Sequence, residues 1–243
     1  MIPFKSRTKI LPPSQQRLWP ELRPATELGF VLYGGTAIAL RLGHRVSVDF
    51  DFFSEQPLNR EAIHSAFPFI AKSTVLQDRV NTFTVSVPVS NSVDPVKVSF
   101  FGAIDFGRVG EPNVTDDGVL QVASLADLMA TKVKVILQRS EAKDYLDIVA
   151  MLRAGVSLAH GLSAARTLFG VNFQPSESLK AMVYFGDGDL ATLTKSDRKC
   201  LIKAASEVME FFPVEILSRR LTTFREITID QEETPSASIR LKL

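Results

Sequence analysis

Cysteine is almost absent: Cys200 stands alone among 243 residues. No internal disulfide can form, and no thiolate zinc cluster can be built. Histidine is nearly as scarce. His44, His64 and His160 are the three present, and none is paired at metal-ligand spacing. No stretch approaches the roughly eighteen uninterrupted apolar residues of a membrane span. The opening MIPFKSRTKILPPS lacks a long apolar segment of signal-peptide type, so a cytoplasmic protein with no membrane partner is expected. A charge excess is missing too. The 28 basic and 27 acidic side chains leave +1, so any nucleic-acid contact has to come from a local basic patch.

Apolar side chains are plentiful, at 45% with 17 phenylalanines. That allows a substantial core in one large or two small domains. Residues 30–33 read as a strand, 36–42 as a helix closed by Gly43, and 45–53 as a strand. A helix over 59–67 has Asn59 as its cap. Strands follow over 69–76, 79–87 and 96–101, with the first hairpin turning at Gln77-Asp78. Asp116-Asp117-Gly118 marks a turn before 119–123. Ser14 reads as the cap of a short early helix. From Ser124 the period changes. Ser124 and Asp127 resemble a capping box, and helices are expected over 125–137, 143–154, 157–169, 176–185, 196–212 and 214–224. The tail from Asp230 reads as a loose end or an added strand. The fold class is α+β: a mixed β-sheet with flanking helices over 1–123, then a helical region over 124–243.

The chain is organised around Tyr33 to Phe53, YGGTAIALRLGHRVSVDFDFF. Side chains of a strand alternate between faces. Val46, Val48, Phe50 and Phe52 are therefore expected on a buried face, with Ser47, Asp49 and Asp51 opposite. Two carboxylates at i and i+2 repel each other unless a cation or proton lies between them. Magnesium, which takes oxygen ligands and keeps several waters, suits such a pair. Gly34 and Gly35 stand at a strand-to-helix turn. There the backbone can approach a phosphate and the helix N-terminus favours its charge. The competing reading is a solvated acidic face that needs no metal.

GGTAIALRLGHRVSVDFDFF resembles the first signature of the nucleotidyltransferase superfamily, in the branch of the AbiEii/AbiGii toxins of type IV toxin–antitoxin systems. The matching residues are Gly34, Gly35, Thr36, His44, Arg45, Ser47, Asp49, Asp51 and Phe52. The resemblance implies a polymerase-beta-like fold and an NTP substrate.

A second constellation lies in KVKVILQRSEAKDYLD. On one unbroken helix Lys132, Arg139, Lys143 and Asp147 share about 60° of arc, although Ser140 suggests a break. A solvated charge stripe is the plain reading, with exposed pairs worth about half a kcal/mol each. The same stretch resembles the later signature of the AbiEii-type family: lysine, arginine, then lysine-aspartate and aspartate, here Lys132, Arg139, Lys143-Asp144 and Asp147. On that reading the basic groups face a metal-bound triphosphate, since phosphoryl transfer needs positive charge around its transition state. Asp144 either organises this cluster or acts as a general base. Arg45 either holds its turn or reaches a phosphate, Ser47 binds nucleotide or orients an aspartate, and His44 reads as a structural histidine at a helix end.

Many members of the superfamily carry a third carboxylate on a neighbouring strand. PVKVSFF, the expected equivalent, offers Lys97, Ser99 and Phe101 instead, which weakens a three-acid, two-metal scheme. The expected function is magnesium-dependent transfer of an NMP to an RNA acceptor, such as a tRNA 3′ end, or to a protein acceptor. Asp49 and Asp51 hold the metal, while Gly34, Gly35, Thr36, Arg45, Ser47, Arg139 and Lys143 bind the nucleotide. The resemblance also implies a cognate antitoxin. The rivals are an NTP-binding module without turnover, a phosphotransferase on the same metal site, and a plain scaffold.

Overall fold

The computed structural model describes residues 3–90 and 94–223. The expected tail from Asp230 lies outside them. Strands β1 (Pro3–Phe4), β2 (Val31–Tyr33), β3 (Asp49–Phe53), β4 (Thr74–Arg79), β5 (Thr82–Val87), β6 (Val96–Phe101), β7 (Asn113–Thr115) and β8 (Gln121–Val122) form one mixed sheet in the order β1-β7-β8-β2-β3-β6-β5-β4. Helices α1 (Pro13–Leu18), α2 (Pro24–Glu27), α3 (Gly34–Leu42) and α4 (Arg60–Ala66) belong to the sheet half. Helices α5 (Leu125–Val135), α6 (Ala142–Arg153), α7 (Leu158–Phe169), α8 (Pro175–Val183) and α9 (Lys195–Ser206) follow. The α+β class expected from the pattern is what the chain adopts. Among the described residues no helix is long and apolar enough to cross a membrane.

β3 lies inside the sheet, antiparallel to β2 and parallel to β6. Its apolar face carries Phe50 and Phe52, both fully buried. Phe52 stacks on Phe100 with centroids 5.5 Å apart, and Phe30 meets Phe100 edge-on at 5.2 Å. Each buried ring contributes about 1.5–3 kcal/mol, so the register of β3 is strongly held and its acidic face is held with it. One continuous cluster of buried side chains takes in residues on both sides of residue 123.

Val46 and Val48 do not join that face, contrary to the alternation; they are 55% and 58% exposed. Ladder pairing begins only at Asp49, opposite Lys97 of β6, while β2 reaches no further than Tyr33 opposite Asp51. Among the described residues no strand lies beside 45–48, so nothing holds them to the pleat.

Other boundaries move for similar reasons. α1 starts at Pro13 with Pro12 as its cap residue, and Ser14 is buried inside it. Proline favours the first helical position because its missing N–H would have no partner there. Pro68–Lys72 is a 3-10 turn burying Phe69 and Ile70, where the pattern predicts a strand. The strand starts at Thr74, and Gln77 and Asp78 pair with Thr84 and Phe83 across a bulge. The hairpin therefore turns at Val80-Asn81. At the other end, α9 stops at Ser206 and residues 214–223 are not helical. Their backbone groups are taken by the sheet half: Leu217 N–H donates to Arg108 O at 2.9 Å and Leu221 N–H to Glu55 at 3.0 Å.

The caps expected at Asn59 and Ser124 are present, accepting from Ala62 N–H and Asp127 N–H at 3.0 and 3.1 Å. Gly43 closes α3 at φ +66°.

Candidate functional site

A cavity of about 480 Å³ opens over the acidic face of β3. Asp49 and Asp51 line it from below and Lys97 and Ser99 from β6. Lys132 of α5, together with Arg139 and Lys143 between α5 and the start of α6, closes the opposite side. Gly35, Arg45 and Ser47 also line it, as do Val46, Val48, Leu76, Gln77, Thr84 and Phe101. The sequence thus names both charged walls. It gives no sign of Leu76, Gln77 and Thr84, which arrive only because β4 and β5 fold beside β6. Val46 and Val48 carry a signal, but it points to the core.

Gly34 starts α3 at φ +73°, and a Cβ there would stand 2.6 Å from Asp51 Oδ2. A Cβ on Gly35 would stand 2.5 Å from an Arg45 Nη and 3.0 Å from Ser47 Oγ. The glycine pair thus lets the protein's own carboxylate, guanidinium and hydroxyl crowd the turn. Gly35 faces the cavity, whereas Gly34 and Thr36 do not line it. Thr36 is buried, and its hydroxyl donates to the Asp49 carbonyl, tying α3 to β3. Gly34→Ala is expected to cost about 1–3 kcal/mol through left-handed strain and the contact with Asp51. A shift of the urea midpoint measures this; an unmoved midpoint would contradict the close approach.

The basic wall is built from a buried network. Lys132 Nζ lies 2.6 Å from Asp144 Oδ1 and 2.7 Å from Asp147 Oδ2. Arg139 clasps Asp144 at 2.8 and 3.2 Å. Arg45 clasps Asp147 at 2.7 and 2.9 Å, and His44 Nε2 lies 2.7 Å from the same carboxylate. Both aspartates are fully buried. Burial alone would raise the Asp147 carboxyl. The His44 hydrogen bond and the Lys132 and Arg45 charges outweigh it and hold Asp147 well below the ordinary range. Asp144 is likewise lowered: burial opposes, but the Arg139 hydrogen bond and Lys132 prevail. Three cations against two carboxylates leave the wall positive toward the cavity. The break suggested by Ser140 is present: the stretch forms two helices, α5 and α6, separated by a turn at residues 136–141. Lys143, at the start of α6, pairs with Glu141 at 2.6 Å.

The floor is the opposite case. The Asp51 carboxyl is raised by burial and by Asp49, and only partly relieved by Lys97, Lys132 and Arg139. Among the described residues its oxygens accept no hydrogen bond and form no ion pair. Lys97 Nζ sits 3.2 Å from Asp49 Oδ2, and Ser99 stands opposite Asp51. Two acids, one of them unpartnered, fit a single hard cation with the rest of its shell from water or a ligand. The described residues contain no cluster of three or more metal-ligating side chains.

A mixed sheet whose inner strand presents D-x-D beside a helix opened by two glycines has the layout of a nucleotidyltransferase fold. A crystal structure from H. pylori described as a "putative nucleotidyltransferase" superposes on it with a TM-score of 0.55, over 80% of this chain and 92% of that one, at 17% identity. The chain itself belongs to the nucleotidyl transferase AbiEii toxin family of type IV toxin–antitoxin systems, whose model matches residues 18–231. An uncharacterised protein of Aquifex aeolicus is 29% identical over 161 residues, 65% of this chain and 74% of that protein. Family and fold are consistent with nucleotidyltransferase activity.

Proposed function

We propose that the protein transfers a nucleoside monophosphate from an NTP to a hydroxyl of an RNA acceptor, such as a tRNA 3′ end. The observation that carries this reading is the placing of Asp49 and Asp51 in one cavity with Lys132 and Arg139. Magnesium on the two aspartates would neutralise the phosphates and polarise the α-phosphoryl group. Lys132, fixed by Asp144 and Asp147, faces the leaving pyrophosphate, and Arg139 and Lys143 meet the outer phosphates. Gly35 leaves room for the phosphate tail. Val46, Val48, Leu76 and Phe101 offer apolar surface for the base. Asp144 is a positioning residue here: a fully buried carboxylate clasped by two cations is a poor proton acceptor. The acceptor oxygen attacks the α-phosphorus, pyrophosphate leaves with the bond's electron pair, and the hydroxyl proton passes to solvent. A toxin role with a separately encoded antitoxin is supported by family membership.

Incubation with total RNA, magnesium and α- or γ-labelled NTP tests the chemistry. The α label is expected on RNA and the γ label in pyrophosphate, with Asp49→Asn losing both. Transfer of the γ label would show a phosphotransferase. NTP binding without transfer of either label would show a binding module.

A further inference from the structure

Behind the nucleotide cavity lies a second hollow of about 400 Å³. Arg7, His44, Arg45 and Arg153 rim it, and Leu146, Val149 and Ala150 of α6 form its apolar floor. Arg45 lines both cavities. Three arginines line the hollow, and no carboxylate of the described residues does. Two of them are already engaged: Arg45 by Asp147, and Arg153 by Asp197 at 2.8 Å. Arg7 is not. Its backbone N–H donates to Leu40 O at 2.8 Å, which fixes its position. Its stem crosses Gly43, where a Cβ would stand 2.6 Å from Arg7 Cδ. Among the described residues, however, its guanidinium has no hydrogen bond or ion pair. His44, which also lines the hollow, has its Nδ1 buried and without a partner among the described residues.

We propose that this hollow holds the phosphodiester backbone of the acceptor RNA just 5′ of the reacting hydroxyl. The inference rests on the nucleotidyltransferase reading above and adds the acceptor's path. A polynucleotide whose end lies in the nucleotide cavity must run outward, and Arg45 is the wall it crosses. Unpartnered guanidinium over an apolar floor suits phosphate oxygens with sugar or base beneath them. The plain alternative is that Arg7 serves only the C-terminal end of α3, where a cation is favourable.

Fluorescence polarisation of a labelled single-stranded RNA with a free 3′ hydroxyl separates the two. Arg7→Glu and Ala150→Glu, made separately in the full chain, are each expected to weaken RNA binding about tenfold. The log–log salt dependence should become shallower by about 0.7 for each phosphate that the variant no longer neutralises. Binding of a fluorescent ATP analogue with magnesium should be unchanged, and polyglutamate of equal charge should not displace the RNA. The proposal is overturned if both variants bind RNA like the wild type, if the wild type binds none, or if polyglutamate competes equally. Loss of melting temperature in Arg7→Glu without loss of RNA affinity assigns Arg7 to helix capping and overturns it too. Failure of the wild type to bind the ATP analogue would instead count against the nucleotide reading.

Discussion

Asp51→Asn is expected to reduce nucleotide transfer by at least about 10²-fold, the scale on which a single electrostatic group of an active site acts, while leaving the fold at least as stable. Both halves follow from one observation. Asp51 is a half-buried acid beside Asp49 that nothing in the described protein pairs with, and its carboxyl is raised by desolvation and by that neighbour. An acid whose pKa is raised by folding costs stability once it ionises. Below the unfolded value of about 4 it is protonated in both states and costs nothing. As pH rises through the folded value the penalty develops in full. At pH 7 the asparagine variant escapes it, so its melting temperature should equal or exceed the wild type's, and the difference should vanish in acid. Magnesium with a non-hydrolysable ATP analogue should then raise the wild-type melting temperature far more than the variant's. A variant that is both inactive and strongly destabilised would show Asp51 to be a structural residue.

Asp147→Asn is expected to do the reverse, costing about 3–5 kcal/mol of stability, the usual loss when one partner of a buried ion pair is removed. The fully buried Asp147 carboxylate meets Lys132, Arg45 and His44 together. The amide leaves the Arg45 guanidinium unmatched and Lys132 with Asp144 alone. Because the Asp147 carboxyl is held low, its contribution is complete above the unfolded value of about 4. It is lost as pH falls toward the folded value. Urea midpoints should therefore differ widely at pH 7 and converge in acid. A small difference at pH 7 would mean that water enters the network. Activity should also fall, because Lys132 and Arg45 lose the group that aims them.

The two variants mark the division within the site. The floor holds an acid that folding leaves unpaired, and the wall holds cations that folding pairs carefully. An arrangement built for stability alone would pair the acid as well.

Much of this is legible in the chain. D-F-D-F-F states which face is buried, because phenylalanine and aspartate differ so strongly in their cost of burial. Asn59, Ser124 and Gly43 mark helix ends through bonds and dihedrals spanning a few residues. Lys132, Arg139 and Lys143 stand out as the opposite wall. Three things are not legible. The strand begins at Asp49 because Lys97 of β6 happens to lie beside it. Residues 214–223 are irregular because Arg108 and Glu55 take their backbone groups. Asp147 meets Arg45 across 102 positions.

The residues alone determined the α+β class, the acidic strand, the glycine turn and the identity of the basic groups, because each depends on alternation, capping or charge within a short window. The tertiary structure decided the reach of β3, the pairing of Lys97 with Asp49, the clasp on Asp144 and Asp147, and the isolation of Asp51. Each of these depends on which distant strand or helix supplies the neighbour, and neighbours are settled only when the whole core has packed.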